Sequence, residues 1–184
     1  GRWLLVGHGA AATLWDISQP IAPRPGATLQ HPAATVTTTA VAPDGRTTLT
    51  AGAGTAVVWE LSGSAQPTLV AVLPVDGAGT VGAAYNQDST MLATGAGTTV
   101  QLWSISELLV YRPAQVQPAV TLRADLDVPE PITYAMTNPD GSYLLTSGTS
   151  QPAYVWSTRE TGREEPRLGF VKALDGPVRA AHAV

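Results

Sequence analysis

The sequence predicts an all-β array of repeated four-stranded units, and three observations carry that expectation. Trp15, Trp59, Trp103 and Trp156 each close a short apolar run and are followed by Asp, Glu or Ser. They are spaced by 44, 44 and 53 residues. A period near 44 marks a unit that cannot bury its own apolar face and must stack on its neighbours. A fixed step also leads to each Trp: Gly1 to Trp15, Gly45 to Trp59 and Ser89 to Trp103 are each 14 residues, and Gly141 to Trp156 is 15.

Each full unit opens on a segment of one kind, at 35–45, 80–88 and 131–141, where β-branched and small residues run into a turn of the Pro-Asp-Gly type. Pro presets one turn torsion and Gly accepts a positive one, so these segments read as a strand entering a hairpin. In the second unit the predicted strands are 35–42, 46–52, 55–61 and 68–73, with the same layout in the third and fourth; such lengths are ordinary for strands. Thr, Val, Gly and Pro dominate, and only 104–111 has the composition for a turn of helix. The connections 104–117 and 158–166 are the long ones, and loops of that length carry either a function or disorder.

The units divide a single domain, 1–184, into 1–34, 35–79, 80–130 and 131–176, with a last strand at 177–184. Gly1-Arg2 matches the start of a second strand and Pro177–Val184 matches a first strand. Three readings follow. The last strand completes the first unit, or it starts another unit in a longer polypeptide, or two chains combine into one eight-unit ring. Closure of any kind would remove exposed strand edges.

Through Leu14-Trp15-Asp16-Ile17-Ser18, Val41-Ala42-Pro43-Asp44-Gly45-Arg46, Val57-Val58-Trp59-Glu60 and Leu102-Trp103-Ser104, the chain resembles the WD-repeat β-propeller family. It looks most like the divergent, Pro-spaced repeats of large bacterial signalling proteins. The resemblance implies four-stranded blades set radially around a channel, the first strand of each innermost, with about four blades' worth of strands here. It also implies attachment to an effector such as a kinase or a nucleotide-dependent switch. The chain departs from the family at the turn before each Trp-bearing strand. There 49–55 and 92–98 lack the stretch that would carry an Asp to bond a loop His. Only His31 survives as such a His. A buried imidazole without its acceptor would lose roughly 1 to 3 kcal/mol, so His31 is expected to be exposed or bonded to backbone.

The 184 residues are 44% hydrophobic, carry a net charge of −4 and contain no cysteine. Disulfides and thiolate chemistry are excluded. The negative balance argues against a general nucleic-acid binder, which needs a basic footprint. Arg159, Arg163, Arg167 and Lys172 fall in one stretch but are interleaved with Glu160, Glu164 and Glu165, which reads as a solvated mixed-charge loop. No apolar stretch is long enough to cross a bilayer and no signal peptide is visible, so the expected location is cytoplasmic, with a leader before Gly1 left open.

Catalytic signals are weak. His8, His31 and His182 fall at different repeat positions: a turn, a connection and an inner strand. No second His or carboxylate stands at ligand spacing, so neither metal nor cofactor is expected. Asp125 and Asp127 are read as an exposed acidic connection, because acid–base work needs a cleft and a shifted pKa. Gly52-Ala-Gly54 and Gly95-Ala-Gly97 join strand to strand and open no helix, unlike a phosphate loop. The four repeat Trp residues are expected to pack the core. The candidate interaction residues are Trp3, Arg24, Arg112, Tyr111 and Arg123, since aromatic and Arg side chains dominate interfaces; the three arginines are read as lying on outer connections. The sequence therefore points to a non-catalytic scaffold for a protein partner or ligand, with no membrane span and with a homodimer if two chains complete the ring. The alternative is an enzyme with a channel site near His182.

Overall fold

The structure is a computed structural model and describes residues 2–32, 35–61, 66–75, 80–105, 121–127, 131–132, 134–138, 142–148, 152–157 and 169–174. Within them all regular structure is β. The strands are β1 (Trp3–His8), β2 (Ala11–Asp16), β3 (Arg24–Gln30), β4 (Thr38–Val41), β5 (Thr47–Gly52), β6 (Thr55–Glu60), β7 (Thr68–Pro74) and β8 (Thr80–Tyr85). There follow β9 (Met91–Ala96), β10 (Thr99–Ser104), β11 (Thr121–Asp127), β12 (Tyr134–Thr137), β13 (Tyr143–Ser147), β14 (Ala153–Ser157) and β15 (Gly169–Leu174). They form four antiparallel sheets in sequence order: β1-β2-β3, β4-β5-β6-β7, β8-β9-β10-β11 and β12-β13-β14-β15. Ser104 ends β10, Ile105 follows it with its amide on the Thr90 carbonyl at 2.8 Å, and 106–111 of the segment considered for a helix lie outside the described residues, as does the expected last strand at 177–184.

The first strand of the second unit is shorter than its sequence suggests. Thr35–Thr37 have the composition of a strand but leave the ladder: the Val36 amide donates to the Gly9 carbonyl at 2.7 Å and the Thr37 amide to Ala51 at 2.8 Å. The β5–β6 hairpin turns on Ala53 (φ 44°) and Gly54 (φ 80°). Two positive φ values match the twist of the flanking strands, and the favoured first residue there is Asn. Ala53→Asn is therefore expected to raise stability by about 0.5–1 kcal/mol, because Ala pays a steric cost in this region that Asn offsets. A urea midpoint unchanged or lowered would refute it.

Where the second outermost strand of each sheet meets the outermost, the register shifts at the Trp, between Thr13 and Trp15, Val58 and Trp59, Leu102 and Trp103, and Val155 and Trp156. A bulge sharpens local twist, so every sheet bends at the same place. In β11 the extra residue is Arg123, which falls between the paired Leu122 and Ala124.

Three apolar layers join consecutive sheets. Leu5, Ala12, Leu14 and Leu29 of the first sheet meet Val57 and Trp59 of the second. Leu49, Val58 and Leu73 of the second meet Leu92 and Trp103 of the third. Ala93, Val100 and Leu102 of the third meet Leu144 and Trp156 of the fourth, with Ile132 between them. Each of these Trp residues thus faces the preceding sheet. Trp59, Trp103 and Trp156 are buried, whereas Trp15, in the first sheet, is partly exposed. Sheets also meet through first strands, β4 packing on β8 and β8 on β12.

Small residues set the spacing at these joints. The Ile132 side chain lies where a Cβ on Gly95 would come within 3.0 Å of it, and Val36 stands in the same relation to Gly7. Gly52, the last residue of β5, is tighter still, because an added Cβ would collide with the Thr35 carbonyl oxygen.

Candidate interaction surface and the buried tryptophan nodes

Antiparallel order places one set of loops at the end of each sheet where its Trp-bearing strand finishes. Among the described residues these are the turns 42–46 and 86–90, Asn138 and Ser142, the connection 17–23 that follows β2, and Leu61 and Ile105 directly after β6 and β10. The turn residues fold for local reasons. The Asn86 side-chain oxygen accepts from the Thr90 and Met91 amides, both at 2.9 Å, and Asn138 accepts from the Tyr143 amide at 2.7 Å. This closes the turn with a side chain that mimics backbone. The Asp44 amide donates to the Ser89 hydroxyl at 3.1 Å, so the turns of the second and third sheets sit side by side.

At the first sheet this end carries Trp3 and Arg24, which the register sets on either side of Asp16. Trp3 is partly buried against the apolar layer shared with the second sheet. The Arg2 guanidinium covers its ring at 4.5 Å and reaches Asp16 at 2.9 Å. Ser18 donates its amide to the other Asp16 oxygen at 2.9 Å. The bonds from Ser18, then those from Arg2, hold the Asp16 carboxyl down at about 2. Such a group is a permanent acceptor and has no use as a general acid near neutral pH. Beyond it the connection projects Ile21, which is 100% exposed between Pro20 and Pro23. Sequence reasoning passed over Ile21, although an aliphatic residue flanked by prolines in a short polar loop is a visible signal.

Arg24 opens β3 and is exposed. Its place corrects the expectation of an outer connection: its backbone pairs with Asp16 and belongs to the ladder. Arg123 likewise belongs to a strand, and so do Asp125 and Asp127, which pair with Gln101 and Thr99. The third unit keeps its ladder to Asp127, so the acidic pair is not a free connection. His8 ends β1 rather than sitting in the turn, and its Nε2 is 2.8 Å from the Thr13 hydroxyl. Tyr111, Arg112 and His182 lie outside the described residues, as do Arg159, Arg163 and Arg167. The described charges at this end, Arg2, Asp16, Arg24, Asp44, Arg46, Glu60 and Asp88, are of both signs. Among the described residues no three His, Asp or Glu side chains are grouped closely enough to hold a metal ion, and no helix is long and apolar enough to cross a membrane.

The buried polar groups are organised around the tryptophans. The indole N–H of Trp59 donates to the Thr50 hydroxyl at 3.0 Å, that of Trp103 to Thr94 at 2.8 Å and that of Trp156 to Thr146 at 2.9 Å. In the first sheet the same position holds Val6, which has no hydroxyl. His31 departs from one half of its expectation: it is 5% exposed rather than solvent-facing, its Nδ1 lies 3.0 Å from the Thr50 hydroxyl, and the Gly52 carbonyl also acts on the ring. With the family's Asp absent, Thr50 joins imidazole and indole, and Nε2 has no partner in good hydrogen-bond geometry. The equivalent position before the third sheet, 28 residues ahead of Trp103 as His31 is ahead of Trp59, is Val75, also buried.

Burial lowers the His31 pKa below its ordinary 6.5, the Gly52 carbonyl partly opposing the shift. Between the lowered value and 6.5 the unfolded chain binds a proton that the folded chain does not. The contribution is therefore fully present above about pH 6.5 and is lost as pH falls through the folded value. His31→Val, which copies the Val75 arrangement, is expected to remove that part of the pH dependence. Urea midpoints at pH 8, 6 and 5 for both chains check it; parallel profiles would refute it.

No protein-family model matches the chain, and no curated protein is significantly similar to it.

Proposed function

We infer that the chain forms a β-propeller, or a segment of one, that serves as a non-catalytic scaffold for protein–protein interaction or ligand sensing. The observation that carries this reading is the serial joint. Each described sheet hands an apolar face to the Trp of the next, in the order of the sequence. Repetition of one joint turns each unit by a similar angle, which is how a ring of blades is built. The first sheet has room for a further strand: β1 corresponds by register to the second strands β5 and β9, yet its Leu4 and Val6 are exposed where those strands are buried, and such a strand could come from Pro177–Val184, from a longer polypeptide or from a second chain. A scaffold works through a rigid rim, and the turns joined by Asp44 and Ser89 supply one. Ile21 and Arg24 are the anchors on that rim, and attachment to a signalling effector in a larger bacterial protein accords with the resemblance.

Two measurements test the reading. Light scattering with protease digestion is expected to give a resistant monomer, and removal of 177–184 is expected to make it labile; equal resistance of both forms would end the closure proposal. Affinity enrichment from the source cell, followed by titration of the purified partner, is expected to recover a protein whose affinity falls at least about tenfold with Ile21→Asp or Arg24→Glu. A partner indifferent to both changes, or turnover abolished by His182→Ala in a folded chain, would overturn the scaffold assignment.

A further inference from the structure

Each buried Trp bonds to a Thr of its own sheet, but what the incoming passage adds to that pair differs from joint to joint. Before the third sheet it adds Val75, and the phenol packed into that joint, Tyr85, is pushed up by burial and stays neutral in acid. Before the second sheet it adds His31, whose imidazole shares the Thr50 hydroxyl with the Trp59 indole. The passage is fastened to both sheets. The His31 amide donates to the Ala10 carbonyl at 2.9 Å and the Val36 amide to Gly9 at 2.7 Å, both on the turn of the first sheet, and the Thr37 amide donates to Ala51 of the second at 2.8 Å.

We propose that His31 is a proton-operated latch: protonation of its ring frees the passage at His31, Val36 and Thr37 and loosens the joint between the first and second sheets, while the joint between the second and third stays closed. The geometry sets the direction. A neutral imidazole has one N–H and one bare nitrogen, and a hydroxyl can meet either, so the neutral ring fits Thr50 in both tautomers. The charged ring has two N–H groups. Nδ1 would then donate to a Thr50 oxygen that already accepts the indole N–H, and the buried Nε2 would carry a donor with no partner in good geometry. Among the described residues the cation would also lack a counter-charge. β4 and β5 carry no charged residue, and Glu60 of β6, Asp16 of β2 and Arg24 of β3 each stand at the end of the strand remote from His31. His8 of β1 is nearer, but it alternates with Leu5 and so lies on the face of the first sheet turned away from the second, its ring on Thr13. A buried charge and a buried unpaired donor are both costly, and water relieves both once the passage opens. The sign of the His31 shift agrees: burial lowers its pKa, so opening takes up a proton and is favoured as pH falls below 6.5.

Residue-resolved hydrogen exchange of the whole chain between pH 8 and 5, corrected for intrinsic rates, tests this. Protection of the His31, Val36 and Thr37 amides is expected to fall several-fold by pH 5, with a ceiling of about thirtyfold set by an ordinary imidazole pKa of 6.5. The amides of β9 and β10 are expected to keep theirs. His31→Val is expected to abolish the response and His8→Gln to leave it intact. Protection of the passage that does not change with pH would overturn the proposal. So would an equal loss in β9 and β10, which is global unfolding, or a response that survives His31→Val or disappears with His8→Gln. NMR titration of the His31 ring in the unmodified chain decides the matter even if the variant does not fold. A midpoint below 6.5 is expected, and a midpoint at or above it would mean that the closed form accepts the proton, against the latch.

Discussion

Trp103→Ala is expected to destabilise the fold by about 3–5 kcal/mol, the range for removing a buried Trp. Trp103 is 5% exposed in the layer between the second and third sheets, against Leu49, Leu73 and Val75. Three losses combine. The indole area returns to water, the sheets cannot close over the cavity because both are held by their own ladders, and Thr94 loses the N–H it accepts. The same change at Trp15 is expected to cost about 1–2 kcal/mol, because that ring is partly exposed and Val6 stands where the hydroxyl would be. Urea unfolding of the two variants gives the comparison. Equal losses would mean that the Trp15 ring is as buried in solution as the other three, and would refute the difference drawn from its exposure.

Gly52→Ala is expected to cost about 3 kcal/mol, at the upper end for overpacking. The added methyl would collide with the Thr35 carbonyl oxygen, which is backbone and cannot rotate away. Moving Thr35 would disturb the Val36 and Thr37 amides, bonded to Gly9 and Ala51, and so the passage from first to second sheet. Gly54→Ala, two residues away, has no comparable obstacle and is expected to cost only about 1–2 kcal/mol, for its φ of 80° alone. Thermal unfolding of the pair separates close approach from torsional strain. A milder effect at Gly52 than at Gly54 would show that the crossing is loose.

Strand positions were legible because their causes are local. Alternation, β-branched residues and turn formers act within a few neighbours, so in the second unit 46–52, 55–61 and 68–73 lie within a residue of β5, β6 and β7. The first strand, 35–42, overran because Thr35–Thr37 have strand composition but Val36 gives its amide to Gly9 in the turn of the first sheet, leaving Thr37 with a single bond to Ala51 before the ladder begins. Asp125 and Asp127 were misread for a related reason: acidic residues before a proline suggest a loop, yet β11 has ladder partners for them in β10.

The candidate surface was less legible. Trp3 stood out as an aromatic at an unusual repeat position, but that it carries Arg2 on one side and an apolar layer on the other depends on β2 and on the next sheet. His31 was judged by the absence of an Asp at its usual place. Its burial depends on Thr50, 19 residues away, which supplies one hydroxyl to two rings.

By itself, then, the sequence determined that the protein is all-β, built of units near 44 residues, with tryptophans at one register position and tight turns between strands. Those properties follow from period, composition and turn chemistry. Only the tertiary structure decided which face each tryptophan turns to its neighbour, why Gly52 must lack a side chain and how His31 can be buried. Each of these depends on groups far apart in the chain, brought together by the stacking of one sheet on the next.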